Sequence, residues 1–189
     1  MKNERKTEVY YSVFPKQTRG PVSAVYEIFD SLKTSVVIIF LIFMLAVRVV
    51  GVEGDSMVPT LNDGDRLIIA SAPRTSERGD IIIIAQPWER DNSLVKRVIG
   101  VGGDTIDIDF ENGYVYVNGE KQTEEYVKEL THINYDMKFP LTVPEGCVFV
   151  MGDNRNESLD SRSSRIGFID ENCVLGKALF RLHPDAKKL

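Results

Sequence analysis

DIIIIA (residues 80–85) and LVKRVIGV (residues 94–101) decide the fold of this chain. Each is a short apolar run, rich in β-branched residues and bounded by turn residues, which is typical of a β-strand. Four consecutive isoleucines predict a strand that is buried on both faces. Comparable runs recur from residue 65 onward, at 65–70, 104–110, 114–119, 147–152 and 174–180. The sequence therefore predicts a mainly β domain.

Turn residues separate these runs and predict tight connections between the strands. The strongest turn pairs are Gly79-Asp80, Gly102-Gly103, Asn112-Gly113 and Asn118-Gly119. TEEYVKEL (residues 123–130) interrupts the β pattern, and we predict a short helix there.

Composition narrows the possible functions. A chain of 189 residues with 43% hydrophobic residues has room for one domain of ordinary size. Its 28 acidic and 23 basic residues create no basic field that would attract nucleic acid. Two histidines and two cysteines are too few for the common zinc centres, so we expect neither a metal nor a cofactor. If the strands around Cys147 and Cys173 pair as a hairpin, these residues lie at opposite ends, which predicts free thiols.

The N-terminal part contains an uncharged apolar run, residues 34–47. Fourteen helical residues reach about 21 Å, short of a hydrocarbon core of about 30 Å. Residues 33–52 reach about 30 Å if Lys33 and Arg48 extend their charges to the lipid headgroups. A buried core helix and a cleaved signal peptide are the alternatives. Because no Ala-x-Ala site follows the run, we predict a single transmembrane anchor over residues 33–52.

Basic residues predict how this anchor is oriented, because positively charged flanks stay in the cytoplasm. Before the apolar run lie Lys2, Arg5, Lys6, Lys16, Arg19 and Lys33, whereas the stretch near its other end holds only Arg48 and Arg66. We therefore expect a cytoplasmic arm over residues 1–32 and an extracytoplasmic domain over residues 53–189.

Ser56 is the first candidate catalytic residue, in GDSMVPTL (residues 54–61). A serine next to glycine and held by a nearby proline suits a nucleophile on a rigid, exposed loop. A polar turn between anchor and domain is the alternative. The trypsin-like pattern fails because both histidines lie downstream, and the G-x-S-x-G pattern fails because Val58 replaces its second glycine.

Lys96 is the remaining candidate for a general base, because it interrupts the apolar run 94–101. A free lysine has a pKa of about 10.4, and lowering that pKa to about 8 by burial costs about 3 kcal/mol. The alternative is a lysine on the wet face of a strand. Adjacent Lys96 and Arg97 must point to opposite faces, and the alternation does not determine which side chain is buried.

A dense polar segment, residues 151–162, follows the apolar run 147–152. Its acidic side chains and arginines can form bidentate pairs that hold a loop rigid beside a site. A solvated surface loop is the alternative.

These three clusters, behind an N-terminal anchor, resemble the bacterial type I signal peptidases (leader peptidases) of the short, single-anchor Gram-positive kind. The similarity covers roughly residues 35–180, and its motifs are jointly very specific. The matching residues are Ser56-Met57-x-Pro59-Thr60-Leu61, Lys96-Arg97-Val98-x-Gly100-x-x-Gly103-Asp104 and Gly152-Asp153-Asn154-Arg155-x-x-Ser158-x-Asp160-Ser161-Arg162.

The resemblance implies a coiled, mostly antiparallel β-sheet peptidase domain with a Ser–Lys dyad. Such an enzyme removes signal peptides from exported preproteins at the outer face of the cytoplasmic membrane. Ser56 would attack the scissile carbonyl, Lys96 would act as general base, and the Ser56 backbone amide would donate to the oxyanion. Some relatives supply a second oxyanion donor from a serine two positions earlier, where this chain has Gly54.

The same resemblance assigns supporting roles and a substrate. Ser158 would hydrogen-bond and orient Lys96, and the loop would be braced by Asp153, Arg155, Asp160 and Arg162. The substrate would be a secretory preprotein, with small residues at the first and third positions before the cut, that binds as an added strand. The partners of this chain would be these preproteins and the lipid bilayer, with no nucleic acid. A monomer is favoured.

Two rival hypotheses remain at this point. Self-cleaving Ser–Lys repressors have a similar β-domain, but they carry a basic helix-turn-helix, which is not seen before this domain. An inactive homologue would act as a membrane-anchored binding module. Such copies usually lose one of three residues, Ser56, Lys96 or Ser158, and this chain has all of them.

Overall fold

The computed structural model describes residues 21–71, 75–85, 93–183 and 185–189. It divides into two compact units, Met1–Ile42 and Phe43–Leu189. Most of the predicted cytoplasmic arm, residues 1–20, lies outside the described residues.

Regular structure consists of one helix in the N-terminal part and short strands after it. The elements are α1 (Pro21–Ala46), β1 (Val47–Gly51), β2 (Arg66–Ser71), β3 (Ile81–Ala85), β4 (Ser93–Val101), β5 (Thr105–Asp109), β6 (Tyr114–Val117), β7 (Glu120–Lys121), β8 (Leu141–Thr142), β9 (Cys147–Met151), β10 (Ile169–Asp170), β11 (Val174–His183) and β12 (Lys187–Lys188). The seven strands predicted from the sequence all form, so the prediction of a mainly β domain is confirmed.

The strands build two antiparallel sheets. The larger has the order β1-β2-β11-β3-β4-β9-β10, with β12 paired to β11, and the smaller has the order β7-β6-β5-β8. Every recorded strand pair is antiparallel. The hairpin between β6 and β7 turns at Asn118 and Gly119, whose φ angles of 54° and 81° suit a type I′ turn.

The isoleucine strand β3 lies inside the larger sheet and separates two apolar clusters. Ile81 and Ile83 pack with residues of β2 and of the β1–β2 loop. Ile82 and Ile84 pack on the other face with residues of β9. All four side chains are at most 3% exposed, so the prediction of burial on both faces is confirmed. A third cluster joins β9 to the smaller sheet.

The helix predicted over residues 33–52 ends earlier than expected at its C-terminal end. The helix α1 ends at Ala46, and Val47–Gly51 pairs with β2 instead. This stretch contains three valines, whose branched side chains disfavour a helix and suit a paired strand. Among the described residues, no helix combines the length and the apolar composition that crossing a membrane requires.

Two other sequence predictions need correction. Residues 123–130 form turns and bends, not a helix, and two of them, Glu124 and Lys128, bind the loop after β9. Cys147 and Cys173 are free thiols, as predicted. The reason for that prediction was wrong, since β9 pairs with β4 and β10, which puts Asp170 opposite Cys147.

Candidate active site

Ser56 lies in the loop that joins β1 to β2. A backbone hydrogen bond from Val52 N to Asp65 O, 2.8 Å long, closes the base of this loop. Met57 and Leu61 are 1% and 0% exposed and anchor the loop in the apolar core. Ser56 itself is half-buried, so its hydroxyl stands at the edge of a fixed loop.

Lys96 lies in the middle of β4, opposite Ile82 of β3. Its side chain is 3% exposed, and Nζ donates a hydrogen bond of 2.7 Å to Ser56 Oγ. The ambiguity between Lys96 and Arg97 is therefore resolved, because Lys96 meets the serine and Arg97 points to the other face. Forty positions separate the serine and the lysine in the chain, and the fold brings the β1–β2 loop against β4.

Burial changes the protonation of Lys96. It lowers the pKa of the Lys96 amine from 10.5 to about 8, and the nearby Arg162 lowers the pKa as well. The carboxylates of Asp160 and Asp153 oppose this shift. At pH 7 roughly one such amine in ten is neutral, compared with about one in a few thousand for a free lysine. A proton acceptor for Ser56 is therefore available near neutral pH.

Asp153 follows β9 and ties three parts of the chain together. Its Oδ1 and Oδ2 accept from Arg97 Nε and Nη2 at 2.8 and 2.7 Å. Its Oδ2 also accepts from Thr60 Oγ1 at 2.5 Å. The carboxylate is 0% exposed. Asp153 thus fixes the serine loop to the strand that carries Lys96.

Asn154 and Gly152 hold the backbone on either side of the nucleophile. Asn154 N donates to Ser56 O and Asn154 Nδ2 donates to Asp55 O, each at 3.0 Å. At Gly152 an added Cβ would overlap Ser56 O and the Ser158 side chain. Only glycine lets these two segments approach so closely.

Arg155 is 1% exposed and points away from the dyad. Its Nη1 and Nη2 bind the two oxygens of Glu124 at 2.7 and 2.6 Å, and Nε donates to Gly152 O at 3.0 Å. The Arg155 guanidinium therefore connects the loop to residues 123–130.

Asp160 and Arg162 form a second, fully buried pair, each 0% exposed. Arg162 Nε and Nη2 donate to the carboxylate at 2.8 and 2.9 Å. Arg162 also donates to the carbonyls of Arg155 and Ile133 at 2.5 and 3.0 Å, while Asp160 accepts from Gly152 N at 3.0 Å. Through these hydrogen bonds, the pair provides partners for backbone carbonyl and amide groups in and beside the loop.

Ser158 is 1% exposed and lies in the same cluster, but its predicted contact is not made. Within the described residues, Ser158 Oγ has no hydrogen-bond partner, so the expected bond to Lys96 is not formed in this structure. The Ser158 side chain packs against Gly152, on the side of the Ser56 carbonyl. Its backbone carbonyl accepts from Tyr135 Oη at 3.0 Å.

The Ser56 backbone amide is the predicted oxyanion donor. The Ser56 amide donates to no acceptor in the part of the chain that the structure describes. Gly54, with φ at +81°, donates its amide to Asp63 Oδ1 at 2.8 Å. Across the described ranges, no group of three histidine, cysteine, aspartate or glutamate residues could hold a metal ion.

Sequence reasoning missed several residues of this network. Thr60, Arg97 and Asn154 lie inside the recognised motifs, where their residue types alone did not indicate a partner. Glu124 and Tyr126 lie in the segment predicted to be helical. The bonds of Thr60, Arg97 and Glu124 to the loop after β9, and that of Asn154 to Asp55, span 31 to 99 positions, so no local pattern could reveal them.

Comparisons with known proteins identify the family of this chain. Residues 25–183 match the family described as signal peptidase, peptidase S26. Signal peptidase I of Bacillus licheniformis is 41% identical over 143 residues, covering 70% of this chain and 75% of the relative. Signal peptidase IB of Staphylococcus aureus is 34% identical over 175 residues, covering 82% and 87% respectively.

A solved structure is also similar, that of a signal peptidase I from Enterococcus faecalis. It is 31% identical with a TM-score of 0.46, and the match covers 56% of this chain and 98% of that chain. With a match over residues 25–183 and relatives above 30% identity, the chain belongs to the signal peptidase family, peptidase S26, as a type I signal peptidase.

Proposed function

We propose that this chain is an endopeptidase that removes signal peptides from exported preproteins, with Ser56 as nucleophile and Lys96 as general base. One observation carries the mechanism: Lys96 Nζ lies 2.7 Å from Ser56 Oγ on a side chain that is 3% exposed. A buried amine with a lowered pKa, in direct contact with a hydroxyl, can accept its proton.

The reaction proceeds through an acyl-enzyme. Ser56 Oγ bonds to the scissile carbonyl carbon while its proton moves to Lys96 Nζ, and the Ser56 amide donates to the oxyanion. Lys96 then returns the proton to the departing amine as the peptide bond breaks. In the second half Lys96 takes a proton from water, whose oxygen attacks the ester carbonyl, and returns it to Ser56.

The substrate is proposed from the relatives, which are named as signal peptidases. A secretory preprotein with small residues at the first and third positions before the cut would lie beside Ser56 as an added strand. No cofactor takes part in the proposed steps.

The apolar segment of α1 is proposed as a single membrane anchor. Its large side chains at residues 36–41 are 50–65% exposed, which leaves an apolar surface that lipid would cover. The excess of basic residues before this segment supports a cytoplasmic N-terminus and an extracytoplasmic peptidase domain. A substrate tethered in the same bilayer would reach Ser56 at a raised effective concentration.

The test is to incubate the full chain, in detergent or vesicles, with a secretory precursor and to sequence the N-terminus of the product. Ser56→Ala and Lys96→Ala should each lower the cleavage rate by at least about 10³-fold. Lys138→Ala, which changes an exposed lysine, should cleave normally. Normal cleavage by the Lys96→Ala protein would contradict the mechanism.

The pH dependence offers a second check. Because only the neutral amine accepts a proton, activity should rise about tenfold per pH unit below a midpoint near pH 8, and then level off. An activity that is already at its plateau at pH 6 would contradict a lysine base.

A further inference from the structure

Residues 123–131, here called the strap, cross over the loop that follows β9. Lys128 N donates to Asp153 O at 3.1 Å, and Thr131 Oγ1 accepts from Arg155 Nη1 at 3.0 Å. No hydrogen bond joins the strap to Ser56 or Lys96 within the described residues. The strap therefore acts on the dyad only through the residues it covers.

Tyr126 is the strap residue whose ring faces two arginines of the site. Arg97 Cζ lies 4.0 Å from the centre of its ring, and Arg155 Cζ lies 5.8 Å from it. The hydroxyl donates to Glu124 Oε1 at 3.0 Å, and Glu124 in turn binds Arg155. An arginine over the face of a tyrosine ring is held by a cation–π attraction. The ring thus lies against the guanidinium of Arg97, whose Nε and Nη2 bind Asp153.

Two cavities meet at Tyr126. One, of about 460 Å³, is also lined by Thr60 and Arg97. The other, of about 200 Å³, is also lined by Glu124 and Val98. The ring forms part of the wall of both cavities. Its removal would open the Arg97–Asp153 ion pair to water.

Three charged groups and burial affect the protonation of the Lys96 amine. Asp160 and Asp153 favour its protonated form, while Arg162 and burial favour its neutral form. Asp160 is neutralised inside the loop by Arg162, with both side chains 0% exposed. Asp153 instead depends on Arg97, whose side chain is 11% exposed and borders the larger cavity. The Arg97–Asp153 pair is therefore the more vulnerable of the two.

We propose that Tyr126, fixed by Glu124, is a positioning residue for the general base: its ring holds Arg97 on Asp153, so that the carboxylate near Lys96 stays neutralised and dry. This inference rests on the proposed function for its effect on catalysis. The charged groups that face Tyr126 are Arg97, Arg155 and Glu124.

Loss of the Tyr126 ring should change the pKa of Lys96 in one direction, upward. A less neutralised Asp153 stabilises the protonated amine, and entry of water does the same. Both effects raise the pKa of Lys96. A rise of half a unit to one unit leaves about three- to tenfold less neutral amine at pH 7.

The experiment compares Tyr126→Met, which fills similar volume without a ring, with Tyr126→Phe, which keeps the ring and loses the hydroxyl. Tyr126→Leu is a second ring-free variant in case the methionine variant fails to fold. Tyr114→Leu is the matched control, because it removes a tyrosine that covers Lys121 in the smaller sheet. All are measured as full chains whose thermal unfolding is recorded first.

Two readouts are taken over pH 6 to 10. The first is acetylation of Lys96 by acetic anhydride, followed by mass spectrometry, which reports the amine without requiring catalysis. The second is kcat/KM on a secretory precursor. The ring-free variants should shift both midpoints upward by half a unit to one unit. Tyr126→Phe, which keeps the ring, should show little of that shift. Tyr114→Leu should have the same midpoints as the parent.

An unchanged Lys96 midpoint in a folded ring-free variant would overturn the inference. An equal shift in Tyr126→Phe would also overturn it, because the ring would then not be the group that acts. If the parent chain cleaves no precursor, the proposed function fails, and the acetylation midpoints still decide the role of Tyr126.

Discussion

Two regions of the molecule reverse the usual distribution of apolar and charged side chains between interior and surface. In α1, the large apolar side chains at residues 36–41 are 50–65% exposed. In the loop after β9, four charged side chains are at most 1% exposed, namely Asp153, Arg155, Asp160 and Arg162. Apolar groups normally avoid water and charged groups normally stay in it. Each region is therefore stable only with a specific partner.

The partners differ in where they come from. The charged loop finds its partners inside the fold, since Arg97 and Glu124 bind Asp153 and Arg155 from other segments. We propose that the apolar segment finds its partner in the bilayer. The comparison teaches that the buried charges of this chain mark the candidate site, while the exposed apolar surface of α1 motivates the anchor proposal.

The largest effect is expected from breaking a buried pair in the loop. Arg162→Ala leaves Asp160 buried without a counterion and removes donors to the carbonyls of Arg155 and Ile133. We expect the free energy of unfolding to fall by about 3–5 kcal/mol. Urea unfolding would measure it, with Arg165→Ala as control because Arg165 is exposed in the same segment. Equal stability of the two variants would show that the buried charge needs no partner.

Removing the buried charge of Lys96 should raise the free energy of unfolding, whereas loss of Arg162 should lower it. Its folded pKa, about 8, lies below its unfolded value of 10.5, so the unfolded chain binds more protons between pH 8 and 10.5. The stability contributed by this site therefore rises with pH across that window, and below pH 8 burial costs about 3 kcal/mol.

Lys96→Met should thus be inactive and yet up to about 3 kcal/mol more stable than the parent at pH 7. The difference in unfolding free energy should shrink as the pH is raised from 8 toward 10.5. Urea titrations of both proteins at pH 7 and pH 10 would measure it. A difference that is the same at both pH values would contradict the lowered pKa.

The remaining prediction concerns membrane insertion of the apolar segment. Ile38→Arg places a charge at its middle, which should disfavour membrane insertion by about 3 kcal/mol. We expect a smaller share of the chain to stay with membranes after alkaline extraction. Val22→Arg, near the start of α1, is the control and should extract like the parent. If Ile38→Arg also extracts like the parent, the anchor proposal loses its support.

The sequence predicted the two candidate catalytic residues better than the contacts that hold them in place. Ser56 and Lys96 were identified because a serine and a buried amine are recognisable by chemistry and by motif. The strand β3 was predicted because four isoleucines suit a strand buried on both faces. The helix predicted at 123–130 was wrong because Glu124 and Tyr126 bind distant arginines, which their helical periodicity does not reveal. Val47–Gly51 was assigned to the anchor because its pairing with β2 is not visible locally.

The sequence by itself determined the strands, the turns, the candidate nucleophile and the candidate base, since each of these depends on a residue type and its near neighbours. Only the tertiary structure decided that Lys96 and not Arg97 faces Ser56, that Arg97 neutralises Asp153, and that Ser158 makes no bond to the lysine. These outcomes depend on which strands pair and in which register, and a shift of one residue would exchange the faces. Contacts between segments forty or more positions apart are settled by packing of the whole domain.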